Sequence, residues 1–293
     1  MNRSESVNIL QMVVEAPNEE IRAQVQERID HIAKPLDSLG KFETYLAQIG
    51  AIAGTVDIDI RKKAVLVMCA DNGIVEEGVS QCGQEVTRQV AMSMGRGTSN
   101  VCKMAKVAGA DVIPVDVGIA NIGMLAGVTN RNVMPGTKNF LKEPAMPEEQ
   151  ALAAIRVGID LAAECKEKGY QLLATGEMGI GNTTTAAAVA AALTGVSPEV
   201  IVGRGAGLSD AGLVRKRAVV QEALAKYALA KDTLGDRMNS RQETLRILAC
   251  VGGLDIPAMA GTFIGGAMVH LPVVIDGVIS AVAALAAERL APG

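Results

Sequence analysis

A short apolar segment, Tyr170-Gln171-Leu172-Leu173-Ala174-Thr175, runs into Gly176-Glu177-Met178-Gly179-Ile180-Gly181-Asn182-Thr183-Thr184-Thr185 and then into an alanine-rich stretch ending at Leu193. The order reads strand, glycine-rich turn, helix. Such a junction suits an anion. Glycines let the backbone approach a ligand, threonine hydroxyls cap the helix or donate to oxygen, and the first helical N–H groups carry partial positive charge. No Gly-Lys-Ser/Thr follows the glycines, so this is not a Walker A loop, and the spacing is not the dinucleotide pattern. A purely geometric turn remains an alternative. Glu177 argues against it, because a carboxylate in an anion-binding turn makes sense where it handles a proton or a ribose hydroxyl.

The remaining chain repeats this alternation. Ala64–Ala70 is a buried strand ending in Asp71-Asn72-Gly73, and 111–119 repeats the strand-then-aspartate pattern. Helical periodicity covers 17–55 with a break at Pro35, 84–94, 100–108, 147–168, 210–230, 240–252 and 279–290, while Val200-Ile201-Val202 and Leu271–Asp276 read as short strands. The expected fold is a three-layer α/β/α arrangement around a mostly parallel, Rossmann-like sheet. Several polar stretches stay open to two readings. Gly136-Thr137-Lys138-Asn139-Phe140 is a phosphate or ribose contact, or a hairpin turn; Lys34 and Lys41 meet a phosphate or carboxylate, or lie in a solvated connector; Arg215, Lys216 and Arg217 form a solvated face, or hold Lys216 for the site.

Composition excludes several classes. The 293 residues suffice for a large core, which must be aliphatic because aromatics make up only 2%. A net charge of −4 and the absence of a basic patch argue against nucleic acid. Five cysteines without CxxC spacing and only two histidines indicate neither a zinc site nor a disulfide framework, and free thiols fit a reducing cytoplasm. The N-terminus carries no signal-peptide pattern. The run 256–275 holds no Asp, Glu, Lys or Arg, but its prolines and glycines fit a buried helix followed by a buried strand better than a membrane span.

Five blocks taken together carry a resemblance: Lys34-Pro35-Leu36-Asp37-Ser38-Leu39-Gly40, Ala70 through Ser80 with its Asp71-Asn72-Gly73 start, Asp116-Val117-Gly118-Ile119, Gly176 through Thr184, and Asp276-Gly277-Val278-Ile279-Ser280. In this order they resemble the nicotinate-nucleotide:dimethylbenzimidazole phosphoribosyltransferases. The resemblance implies transfer of phosphoribose from nicotinate mononucleotide to a base such as 5,6-dimethylbenzimidazole, in assembly of the cobalamin nucleotide loop. It implies that Gly176, Gly179, Gly181, Asn182, Thr183 and Thr184 hold the phosphate, that Glu177 and Lys216 are catalytic, and that Ser80 and Gln84 line the base pocket. It further implies a cytoplasmic homodimer with no metal or organic cofactor. Residues 1–55 would belong to a small helical domain made from the chain ends, and 56–293 to the Rossmann-like domain.

Two departures follow from the same resemblance. Asn72 stands where many relatives carry histidine. The family also continues to an Arg-Leu-Gly-Glu-Gly motif whose glutamate is its usual base, and no residue before Gly293 matches it. Three explanations fit: a chain cut short of the C-terminal part of the small domain, reliance on Glu177 alone, or a base supplied by a partner subunit. A second reading is therefore a noncatalytic or partner-dependent paralogue, including one half of a phenol-accepting heterodimer. A generic kinase is disfavoured by the absent Gly-Lys-Thr.

Overall fold

The computed structural model describes residues 9–120, 123–235, 237 and 240–293. Five strands, β1 (Lys63–Ala70), β2 (Ala110–Gly118), β3 (Thr129–Asn130), β4 (Leu172–Met178) and β5 (Val273–Val274), form one sheet in the order β3-β2-β1-β4-β5. Every pairing is parallel. The chain builds outward from β1 to β2 and β3, then crosses back to add β4 and β5. The reversal falls between β1 and β4, where the register sets Met68 opposite Glu177 and Cys69 opposite Met178. A crevice at the carboxyl ends of two such strands is where open α/β sheets bind ligands.

The helices are α1 (Glu19–Asp30), α2 (Lys41–Ala53), α3 (Glu85–Gly95), α4 (Asn100–Ala108), α5 (Glu148–Glu167), α6 (Asn182–Thr194), α7 (Pro198–Ile201), α8 (Asp210–Lys226), α9 (Lys231–Leu234), α10 (Arg241–Val251), α11 (Asp255–Met268) and α12 (Val278–Leu290). The alternation of side chains along β1 makes the three layers visible. Leu66, Met68 and Ala70 enter the main core with α5, α6, α10, α11 and α12, whereas Val67 and Cys69 point to a second cluster with Ala91 and Met94 of α3. Buried on both faces, the strand reads as a continuous apolar run. Glycines bring α5 and α11 into backbone contact: a Cβ on Gly261 would lie 1.9 Å from the Ile155 carbonyl oxygen. At the N-terminal end, α1 and α2 pack on each other through a separate cluster of Val25, Ile29 and Ala47.

Two sequence expectations are corrected and a third holds in part. Val200 and Ile201 lie in the short helix α7, opened by Pro198 at its first turn. The strand expected over 271–276 shrinks to Val273–Val274, since Pro272 has no N–H to give and the chain leaves the sheet at Asp276-Gly277 for α12. The run 256–275 is the expected buried helix, α11, followed by that strand, but the strand is not buried: at the edge of the sheet Val273 is half-buried and Val274 exposed. No helix among the described residues is long and apolar enough to cross a membrane.

Candidate active site

The glycine-rich junction is shorter than its sequence suggests. β4 continues through Gly176, Glu177 and Met178, so the turn proper is Gly179-Ile180-Gly181. Gly176 is a strand residue packed beside β1, where a Cβ would sit 3.2 Å from Val67 Cγ2. Gly179 passes so close to β1 that a Cβ would lie 2.4 Å from the Ala70 carbonyl oxygen, and Gly181 caps α6 with φ +92°. Both positions exclude any larger residue.

The N-terminus of α6 faces a lone cation. Lys216 of α8 is 1% exposed and donates from Nζ to Thr183 Oγ1 at 2.7 Å. No carboxylate among the described residues pairs with it, and burial pulls its ammonium down to about 8. The loop between α7 and α8 closes over the pair: a Cβ on Gly205, whose φ is +57°, would lie 2.7 Å from Thr183 Oγ1 and 3.4 Å from Lys216 Nζ. Helix N-terminus, hydroxyl and ammonium together form a positive pole of the kind that suits an anion. Thr184 is fully buried, its hydroxyl without a partner.

Beside this positive pole lies a negative one. The Asn182 amide donates to Glu177 Oε2 and, at 2.9 Å, to Asp255 Oδ2. Asp255, the first residue of α11, is 0% exposed, and burial with the Glu177 charge pushes it up to about 7. Glu177 is half-buried; burial raises its carboxyl, the Asn182 amide opposes that, and the charge of Asp276 adds to it. The arrangement resists a second negative charge, so the pair holds a proton more readily than isolated carboxylates do.

The loop after β1 supplies the third wall. Gln84 Nε2 donates to the Asn72 carbonyl at 2.9 Å, and Ser80 Oγ accepts the Cys82 N–H at 3.3 Å. Asp71 is buried and accepts the Ala120 N–H at 2.9 Å; burial raises its carboxyl. The segment 136–140 makes no hairpin. It backs this loop, with Thr137 Oγ1 accepting the Gly73 N–H at 3.2 Å and Asn139 donating to Glu76 and Glu77. Lys34 meets a carboxylate within its own hairpin, Glu43, at 2.9 Å. No cluster of His, Cys, Asp and Glu among the described residues could hold a metal ion.

A family model described as Phosphoribosyltransferase, DBI_PRT, matches residues 14–293. The chain is 44% identical over 268 residues to the nicotinate-nucleotide–dimethylbenzimidazole phosphoribosyltransferase of Acetivibrio thermocellus, covering 92% of this chain and 74% of that protein. The enzyme of the same name from Clostridium perfringens is 42% identical over 279 residues, covering 95% and 74%. The crystal structure of CobT from Thermus thermophilus superposes with a TM-score of 0.84 at 40% identity, covering 94% of this chain and 79% of that one. The chain belongs to the nicotinate-nucleotide–dimethylbenzimidazole phosphoribosyltransferase family.

For a member of this phosphoribosyltransferase family, the site gathers most of the residues named from sequence. Glu177, Gly179, Gly181, Asn182, Thr183 and Lys216 meet where β4 hands over to α6, and Gln84 adjoins them through Asn72. Ser80 sits two residues past Gly78, whose carbonyl accepts from Arg215 at 3.5 Å. Gly176 lies back in the strand. Sequence reasoning missed Asp255, whose signal was a lone aspartate after Gly252-Gly253 at a helix start, and Gly205, whose signal was the glycine-rich turn before α8.

Proposed function

We propose that this chain moves the phosphoribosyl group of nicotinate mononucleotide to 5,6-dimethylbenzimidazole or a related base, releasing nicotinate and forming an α-ribazole phosphate. The observation that carries the reading is Lys216: a fully buried ammonium with no carboxylate partner among the described residues, set on Thr183 at the start of α6. A phosphate ester is a counterion that suits such a site.

The chemistry follows from the two poles. The phosphate, anchored at Thr183 and Lys216 with the backbone of Gly179, Gly181 and Gly205, does not react; its binding orients the ribose. The bond from the anomeric carbon to the pyridinium nitrogen breaks, its electron pair leaves with nicotinate, and positive charge builds on the sugar. Glu177, steadied by Asn182, stabilises that charge. One nitrogen of the base attacks the anomeric carbon, and the N–H proton of its other nitrogen passes to a carboxylate; Glu177 and Asp255 are the groups at hand. Ser80 and Gln84 line the acceptor side. Residues 1–55 contribute to a smaller helical domain beside the Rossmann-like 56–293. The enzyme acts as a cytoplasmic homodimer, a statement supported by the family resemblance alone.

Nicotinate release from nicotinate mononucleotide, with dimethylbenzimidazole, adenine or phenol as acceptor, tests the reading. Acceptor-dependent release that drops about a hundredfold in Glu177→Gln is the expected result. No release with any acceptor, while the nucleotide still binds, would overturn it.

A further inference from the structure

The tip of the turn between β4 and α6 is one residue, Ile180, held through both of its backbone polar groups. The Ile180 N–H donates to Thr87 Oγ1 at 3.1 Å, and the Ile180 carbonyl accepts from Asn72 Nδ2 at 3.2 Å. Neither holder belongs to the turn: Asn72 follows β1, and Thr87 lies in the first turn of α3. Both are 0% exposed. The flanking glycines make room for the clamp, since a Cβ on Gly179 would come within 3.0 Å of Asn72 Nδ2 and one on Gly181 within 3.3 Å of Asn72 Cβ.

The orientation of the Asn72 amide is settled by its neighbours. Nδ2 also lies 3.5 Å from the Ala70 carbonyl oxygen, so two acceptors face the nitrogen, and the oxygen turns toward Gly253, where a Cβ would be 2.4 Å away. At the same residue the backbone carbonyl takes the Gln84 side chain. Asn72 therefore touches the acceptor segment through Gln84, the phosphate-side turn through Ile180, and Gly253 just ahead of Asp255.

We propose that Asn72 is a positioning residue which, with Thr87, locks the nucleotide-side turn to the acceptor-side loop and so keeps the two half-sites in register. Its kinetic consequence rests on the phosphoribosyl-transfer reading; its structural consequence does not. An aspartate at 72 would set a carboxylate against two carbonyl oxygens, and a valine at 87 would keep the volume of threonine while leaving a buried N–H unpaired. Because both side chains hold the same residue, Ile180, their effects should not multiply.

The test uses the full chain with Asn72→Ala, Asn72→Asp, Thr87→Val, Thr87→Ser and the Asn72→Ala/Thr87→Val double variant. Three quantities are read: melting temperature, hydrogen exchange of the amides at 179–183, and KM and kcat with nicotinate mononucleotide. Thr87→Val and Asn72→Ala should each speed exchange of this turn about tenfold and raise the nucleotide KM by a similar factor, with melting little changed. Thr87→Ser, which keeps the hydroxyl, should stay within about twofold of the parent, and the double variant should fall short of the product of the single effects. Exchange and KM within about twofold of the parent in both Thr87→Val and Asn72→Ala would overturn the proposal. So would a Thr87→Ser chain as impaired as Thr87→Val. A parent chain that releases no nicotinate overturns the transfer reading instead, and the exchange data then decide the positioning claim by themselves.

Discussion

Replacing Lys216 by methionine keeps the length of the side chain and removes its charge, which turns the anion site into a thermodynamic measurement. In the folded protein burial pulls the ammonium from 10.5 to about 8. At about 1.4 kcal/mol per pH unit, holding the charge at neutral pH costs about 3 kcal/mol. The hydrogen bond to Thr183 returns roughly 1–2 kcal/mol of that. Lys216→Met should therefore be more stable than the parent by about 1–2 kcal/mol at pH 7 without ligand. The sign with pH follows from the protons bound. Between pH 8 and 10.5 the unfolded chain keeps the lysine proton and the folded chain has lost it, so the parent gains stability as pH rises through that window, and the methionine variant does not. Urea unfolding at pH 7 and pH 9.5, with and without nicotinate mononucleotide, reads all of this. At a hundred times its Kd the nucleotide should add about 2.7 kcal/mol to the parent, and far less to the variant at the same concentration. A variant less stable than the parent at pH 7 without ligand, yet equally stabilised by nucleotide, would refute the reasoning.

Two further perturbations probe the frame around the site. Asp255, held near pH 7 by burial and Glu177, takes up a proton on folding between pH 4 and 7, so the parent loses stability as pH rises through that window; Asp255→Asn should be more stable than the parent at pH 8 and not at pH 4, by denaturant midpoints. Gly261→Ala drives a Cβ to within 1.9 Å of the Ile155 carbonyl oxygen, backbone that cannot step aside, and should cost about 3 kcal/mol or more, whereas Gly277→Ala, with nothing within 4 Å, should leave the unfolding midpoint nearly unchanged.

The alternation of strands and helices was legible because parallel strands buried on both faces read as unbroken apolar runs, as in Lys63–Ala70, and because helix starts carry their caps in the sequence, as at Asn18, Ser99 and Ser240. Boundaries failed where a local rule met a tertiary contact. Gly176 reads as the start of a turn, yet the side chains of Val65 and Val67 crowd its place in the sheet, and the strand runs on to Met178. That error matters for function: Glu177 stands on a strand in register with Met68 and not on a loop, so its carboxylate is presented from backbone paired to the central strand β1. Asp255 stayed hidden for a different reason. It lies 73 residues from Asn182, and only the packing of α11 brings its carboxylate to the same amide that holds Glu177.

Why the site sits at α6 follows from that helix's composition. Of its 13 residues, all but Thr183 and Thr194 are buried, so it has no solvent face and shows no amphipathic period; alanine lets neighbouring helices approach on every side. A helix surrounded by protein has its terminal dipole screened far less than one at the surface. The same burial that makes Lys216 costly to charge makes its attraction for a phosphate strong, and Thr183, the residue in the first turn that is not buried, is the one that touches it. On the proposed reading the alanine-rich run serves the binding site as much as the core: it carries a concentrated positive end to the switch point between β1 and β4, beside the Glu177 carboxylate.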